Sequence, residues 1–255
     1  MIQDKSIERE RFDSRALSLL AKDSFDTQNF GSEAIPLPLR SPYLFYEEKI
    51  KELIKPDLNV LEIGSGTGLH TYSLIKTGAN VCATDISPNA LKVLEKNFLT
   101  VEGGRGSLKT IVADMEQLPF ENGLFDVVTI AGSLSYGDAK KVDNEIRRVI
   151  KTGGYFICVD SLNHNPIYKF NRYIRFLQDA RSKMTLLNMP TIQRINSLTK
   201  KYKYLDVKYF GCISFMMPIL SKLLGDNSAA DFSNYVDKIT KVKKSAFKFV
   251  LTAQA

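Results

Sequence analysis

An open α/β sheet, doubly wound with helices on both faces, is the fold class that the sequence predicts. Three observations predict it: five short apolar runs between residues 59 and 160, helical periodicity between them, and a glycine-rich turn straight after the first run. Strands covered on both faces read as near-continuous Val, Ile and Leu, which is the signature of a mainly parallel sheet. Right-handed crossovers between such strands make the sheet doubly wound.

From Arg9 to Lys22, Phe12, Ala16, Leu19 and Leu20 recur at helical spacing among charges and predict an amphipathic helix. Gly31, Pro36, Pro38 and Pro42 then interrupt the chain, because a proline ring fixes φ and removes a hydrogen-bond donor. Tyr43 to Ile54 resumes the helical pattern. Val60 to Ile63 is the first strand, Thr71 to Lys76 a helix, Val81 to Thr84 the second strand and Asn89 to Phe98 a helix. The alternation continues with strands at Thr110–Ala113, Phe125–Ile130 and Tyr155–Val159, and a helix at Val142–Ile150. Beyond Asp160 it breaks: helices are predicted at 166–180 and 191–200, a strand at Tyr204–Phe210, a helical insertion across 215–243 and a last strand at Ala246–Thr252. One domain is expected, with residues 1–56 as a helical lid, 57–160 as the ligand-binding core, and 161–255 as substrate-side insertions and the last two strands.

Composition supports a globular chain: 255 residues, 44% hydrophobic and 25% charged, exclude disordered, collagenous and low-complexity classes. The longest uncharged apolar stretch, Ile213 to Leu220, falls far short of the roughly 18 residues of a spanning helix. The first residues run into Glu8-Arg9-Glu10-Arg11 without an apolar core, so the expected location is the cytoplasm. Cys82, Cys158 and Cys212 stand apart in apolar runs and read as free, buried thiols. With two histidines and no Cys/His cluster, no metal site is expected. Charge divides unevenly: residues 1–150 carry 18 Lys and Arg against 22 Asp and Glu, residues 151–255 carry 17 against 6, and the halves are −4 and +11. Such a basic half suits an anionic partner.

Gly64-Ser65-Gly66-Thr67-Gly68 lies between a strand and a helix, where small residues let the backbone approach a ligand at a helix start. A dinucleotide fingerprint would need glycine where Leu69 stands, and the Gly-Lys-Ser/Thr of a Walker loop is missing, which disfavours NAD and ATP. Asp85 ends the second strand, where a carboxylate can accept hydrogen bonds from both ribose hydroxyls. The run Val60-Leu61-Glu62-Ile63-Gly64-Ser65-Gly66-Thr67-Gly68 resembles the first motif of the class I S-adenosylmethionine-dependent methyltransferases. The resemblance continues through Asp114-Met115, Leu118-Pro119-Phe120, Phe125-Asp126-Val127-Val128 and the Lys151-Thr152-Gly153-Gly154 turn, covering residues 59 to 160.

That resemblance implies a seven-stranded sheet with an antiparallel last strand, and S-adenosylmethionine as cofactor with S-adenosylhomocysteine as product. It implies that Gly64, Ser65, Gly66 and Gly68 pack on the methionine end and ribose, with Glu62 supporting the loop. By the same resemblance Asp85 holds the ribose, Ile86 packs on adenine, Asp114 and the Met115 backbone read the adenine edge, and Ala131 and Gly132 border the methionine group. Tyr43, at the start of a helix in the proline-bounded lid, is added to this set; Tyr46 and Tyr136 read as ordinary amphipathic residues, and His70 is left unassigned.

His164 follows the fifth strand, at the carboxyl edge where open α/β sheets bind ligands, and is the candidate base for a hydroxyl acceptor. Adenine-amino methylation is argued against because Ala131-Gly132-Ser133-Leu134 replaces an Asn/Asp-Pro-Pro-Tyr/Phe run. Cytosine carbon-5 chemistry lacks its cysteine, and metal-dependent catechol methylation finds only Asp138 nearby. Lys169, Arg172, Arg175, Arg181 and Lys183 cluster in the expected pocket cap and suit phosphate or carboxylate. The run from Ser161 to Tyr168 and Met189-Pro190-Thr191 are similar to methyltransferases of bacterial polysaccharide biosynthesis clusters. The expected reaction is O-methylation of a small anionic acceptor: a sugar phosphate, nucleotide-linked molecule or surface-glycan precursor. Two rival readings stay open, an RNA methyltransferase and a non-catalytic protein that binds the cofactor.

Overall fold

The computed structural model describes residues 2–21, 30–99, 106–178, 182–198, 200–240 and 243–255. Its centre is one seven-stranded sheet of β1 (Asn59–Ile63), β2 (Asn80–Asp85), β3 (Ser107–Val112), β4 (Phe125–Ala131), β5 (Ile150–Ser161), β6 (Tyr204–Phe210) and β7 (Lys248–Gln254). The strand order is β3-β2-β1-β4-β5-β7-β6, with β7 antiparallel to both of its neighbours and every other pairing parallel. This is the class I methyltransferase fold.

Strand composition explains the two-sided burial. Leu61, Val128 and Phe156 enter one apolar cluster with Val142 and Ile146 of α5 (Ala139–Val149) and Ile195 of α8 (Ile192–Leu198). Their chain neighbours Val60, Val127 and Ile157 enter a second, with Tyr46 and Ile50 of α2 (Ser41–Leu53) and Leu74 of α3 (Thr71–Ile75). Successive strand residues face opposite sides, so an apolar run with no polar alternation is buried on both.

Several boundaries differ from the sequence expectation. The first helix, α1, runs from Ile2 to Leu20, starting well before Arg9. Its opening turns lack apolar periodicity and are fixed by polar contacts: Lys5 Nζ lies 2.6 Å from Asp114 and 3.0 Å from Glu116. Buried Glu8 accepts from the Ser182 amide and the Thr185 hydroxyl. The predicted end of that helix, Lys22, lies outside the described residues, as do residues 179 and 180 of the helix predicted at 166–180 and residue 199 of that predicted at 191–200. Of the basic cluster, Arg181 and the Arg175 side chain also fall outside them. Helix α5 starts earlier than Val142 because the Asp138 side chain caps it through the Lys141 amide at 3.0 Å. The run Lys151 to Gly154, expected as a turn, lies inside β5, where the pairing register with β4 slips between Phe125 and Val127. Cys158 and Cys212 are buried, whereas Cys82 is half-buried.

The remaining helices are α4 (Pro88–Leu99), α6 (Pro166–Leu177), α7 (Lys183–Leu187), α9 (Met217–Leu224) and α10 (Asp226–Ile239). The expected single insertion is split into α9 and α10 by Gly225. No described helix is long and apolar enough to cross a membrane.

Candidate functional site

Where the strand order reverses, between β1 and β4, the carboxyl ends of the strands diverge and leave a crevice. A cavity of about 380 Å³ fills it. Its walls come from the segments after four strands: Ile63 to Thr67, Asp85 with Ile86, Ala113 to Met115, and Ala131 to Ser133. Helix α1 closes the outer side with Phe12, Ala16 and Leu19, held on α4 by packing of Ala16, Leu19 and Leu20 against Ala90 and Val93.

The glycine loop is shaped by close approach. Gly64 has φ +68°, and a Cβ there would come within 2.5 Å of the Ser133 hydroxyl, so the residue must be glycine for β1 and β4 to pack at their ends. Gly66 has φ +55° and nothing within 4 Å of where a Cβ would sit; that open space belongs to the cavity. Gly68 serves differently from the expectation: it is not in the cavity lining, and a Cβ would strike Leu94 of α4 at 2.3 Å.

Asp85 lines the cavity and accepts from the amides of Gly66 and Ser87, each at 2.9 Å. Each carboxylate oxygen thereby keeps acceptor capacity for a ligand hydroxyl. Burial pushes its carboxyl above the ordinary value, and the backbone donors oppose that shift. Asp114 faces the same space but is occupied by Lys5 of α1 at 2.6 Å and by the Glu116 amide at 2.9 Å. Glu62 stands beneath the loop rather than in the lining, 2% exposed, and accepts from the Thr71 hydroxyl at the start of α3.

Burial pushes the Glu62 carboxyl from its ordinary 4.5 to about 8, with the Thr71 hydrogen bond opposing. Between those two values the folded chain holds a proton that the unfolded chain releases, so stability falls as pH rises from 4.5 to 8. The Glu62→Gln variant mimics the protonated form and is expected to lose that dependence. Its melting temperature should exceed that of the parent by roughly 5 °C at pH 8 and match it near pH 5. A constant difference between the two across that range would contradict the assignment.

Of the two histidines, the one left unassigned, His70, lines the cavity, and the candidate base His164 does not. His70 lines the cavity, stacked on Tyr43 with ring centroids 5.1 Å apart and edge-on to Tyr46 at 6.0 Å. Its Nδ1 is buried without a hydrogen-bond partner, and burial, then the nearby Lys248 charge, lowers its pKa to about 4, leaving the ring neutral. His164 is not in the lining; it lies in the loop between β5 and α6, with Lys169 and Lys244 close enough to add to burial in lowering its pKa. Of the expected residues, Tyr43, Gly64, Ser65, Gly66, Asp85, Ile86, Asp114, Met115, Ala131 and Gly132 line the cavity together. Sequence reasoning missed His70, Lys5, Arg15 and Ser133, and set aside Tyr136, which meets Phe12 edge-on at 5.3 Å. For His70 a signal existed, its place two residues after the last glycine of the loop; for the α1 residues only the fold reveals it.

The geometry suits S-adenosylmethionine in three respects. An acidic pair is spaced along one wall, the glycine loop has open space above Gly66, and a buried ring nitrogen in the wall lacks a partner. Among the described residues no group of three or more His, Cys, Asp or Glu is placed to hold a metal.

Comparison with known proteins agrees. Residues 61–158 match the family profile described as a methyltransferase domain. The chain is 30% identical over 149 residues to a sterol 4-C-methyltransferase of Caenorhabditis elegans, covering 58% of this chain and 44% of that one. It is 31% identical over 154 residues to a demethylmenaquinone methyltransferase of Corynebacterium kroppenstedtii, covering 59% of each. The chain therefore spans about half the length of these curated relatives. Among solved structures, phosphoethanolamine N-methyltransferase 2 of Haemonchus contortus, in complex with phosphomonomethylethanolamine and S-adenosylhomocysteine, superposes with a TM-score of 0.57. Identity is 16%, covering 84% of this chain and 52% of that one. The [4+2]-cyclase SpnF superposes with a TM-score of 0.61 at 14% identity, covering 98% of this chain and 95% of that one. Residues 61–158 thus carry the match to a methyltransferase domain, and the fold is the one that class I methyltransferases share.

Proposed function

We propose that this chain transfers the methyl group of S-adenosylmethionine to an anionic oxygen of a small, phosphate-bearing acceptor, such as a sugar phosphate, a nucleotide-linked molecule or a surface-glycan precursor. The observation that carries the reading is the cavity at the ends of β1 to β4, walled by the glycine loop, Asp85 and Asp114. When bound, the cofactor supplies a methyl group already attached to a good leaving group. The chain's own work is alignment and exclusion of water. Asp85 would hold the ribose hydroxyls, Ile86 and Met115 flank the adenine, and Asp114 accept from its amino edge once Lys5 shares or releases that carboxylate. Tyr43, His70 and Gly132 would wall the methionine end.

The acceptor class is argued from charge. The carboxyl-edge loop after β5 brings Lys169 and Lys244 around His164. An already anionic oxygen needs no base. His164→Ala is therefore expected to change the rate of label transfer from methyl-labelled S-adenosylmethionine into a deproteinised metabolite extract by less than about 3-fold. A fall of roughly 10²- to 10⁴-fold would instead make His164 the base for an alcohol acceptor. A second reading, methylation of a carbon on an apolar ring compound, draws on the similarity to the sterol 4-C-methyltransferase.

A further inference from the structure

Large apolar side chains stand in solvent on the substrate-side helices. On α6, Ile167, Phe170, Tyr173 and Leu177 are exposed, Phe170 by 64%, at a spacing that forms one stripe along the helix. On α9, Ile219 and Leu223 are 62% and 73% exposed, and on α10 Phe232, Tyr235 and Ile239 repeat the pattern. Monomeric soluble surfaces rarely gather this much apolar area without a use.

Helix α6 adjoins the turn that leads into α9. Tyr168 of α6 meets Phe215, in the short turn before α9, with ring centroids 6.2 Å apart, and its hydroxyl accepts from the Phe215 amide at 3.0 Å. Helices α9 and α10 pack on each other. Topology puts them all on one side. Ser161 at the end of β5, Phe210 at the end of β6 and Lys248 at the start of β7 are paired in register. The chain therefore leaves toward α6, and passes from β6 through α9 and α10 to β7, at the same carboxyl edge onto which the cavity faces.

Charge selects the occupant. Residues 162–190 hold five Lys and Arg against one Asp, and residues 211–247 hold five Lys against three Asp. Lys169, Lys222, Lys238, Lys243 and Lys244 are exposed among the apolar side chains. Exposed aromatics and leucines with a basic surround are the features of helices that lie in a bilayer interface and meet anionic headgroups. A second copy docking through the same face would set two basic surfaces against each other.

We infer that the α6, α9 and α10 face is a docking surface for an anionic lipid bilayer, holding the carboxyl edge of the sheet against the membrane. A small, phosphate-bearing acceptor produced or concentrated at the lipid surface would then reach the site directly. The inference rests on the reading of that edge as the acceptor side, while vesicle binding is measured without turnover, so its failure would leave methyl transfer untouched.

The test is flotation of the full chain with vesicles of phosphatidylcholine alone and of phosphatidylcholine with equimolar phosphatidylglycerol. Retention on the anionic vesicles is expected to exceed that on neutral ones at least about 10-fold and to fall in about 0.5 M salt. The triple variant Phe170→Ser, Ile219→Ser and Leu223→Ser should lower it about 100-fold while still binding S-adenosylhomocysteine. Should that variant fail to fold, Lys222→Ala with Lys238→Ala carries the test, with an expected loss of about 10-fold at low salt. No retention, equal retention on both vesicles, or retention indifferent to these variants would overturn the proposal. So would a dimer in solution that the triple variant turns into monomer, which would assign the face to a second copy.

Discussion

Asp85→Ala is expected to weaken binding of S-adenosylhomocysteine about 100-fold in titration calorimetry. The carboxylate faces the cavity from the end of β2, with the Gly66 amide on one oxygen and the Ser87 amide on the other, and keeps acceptor capacity for the ribose hydroxyls. Two charge-assisted hydrogen bonds at roughly 1.5 kcal/mol each give about 3 kcal/mol, which is about 100-fold in affinity. The same change frees the Gly66 amide, so part of the loss comes from a loosened glycine loop. Asp85→Asn keeps one acceptor oxygen and should cost about 10-fold. Unchanged affinity in the alanine variant would remove Asp85 from the ribose site.

Asp143→Ala should be the most damaging of these changes to stability, at about 3–5 kcal/mol. Asp143 of α5 is buried and pairs at 2.8 Å with Arg194 of α8, whose side chain is 9% exposed and also donates to the Leu134 carbonyl at 3.1 Å. The pair ties α8 to the 134–136 turn, which carries Tyr136 of the cavity wall. Removing the carboxylate leaves a guanidinium buried without its counter-charge, whereas replacing both partners, Asp143→Leu with Arg194→Met, should recover most of the loss. Melting temperatures of the two variants check this, with about 10 °C expected between the single variant and the parent. A single variant within about 2 °C of the parent would contradict the account of that pair.

The contrast between core and cap explains what could be read in the sequence. The strands from β1 to β5 were legible because each is buried on both sides, which forces apolar runs such as Val60-Leu61 and Val127-Val128. The glycine loop and Asp85 were legible because a tight turn at a strand end restricts residue type. The opening of α1 was not, since Lys5 finds Asp114 across 109 residues and no local pattern records that contact. Nor could the histidines be sorted. His70 faces the cavity because Tyr43, from a separate helix, stacks on it, whereas His164 sits on a loop whose path is set by packing against later segments: the Asn163 amide donates to the Pro190 carbonyl and the Leu162 amide to that of Phe247. The exposed stripe on α6 has the periodicity of a core-facing helix, and periodicity does not say which way a face points.

Transfer of a methyl group to a small anionic acceptor can be followed through the fate of a labelled methyl group. Purified protein with methyl-labelled S-adenosylmethionine would be mixed with a deproteinised metabolite extract and, separately, with total RNA. Label is expected in a small product that binds an anion exchanger and resists nuclease. Label confined to nuclease-sensitive polymer, or no transfer to either while S-adenosylhomocysteine still binds, would contradict it, the first in favour of an RNA methyltransferase and the second in favour of a non-catalytic binding protein.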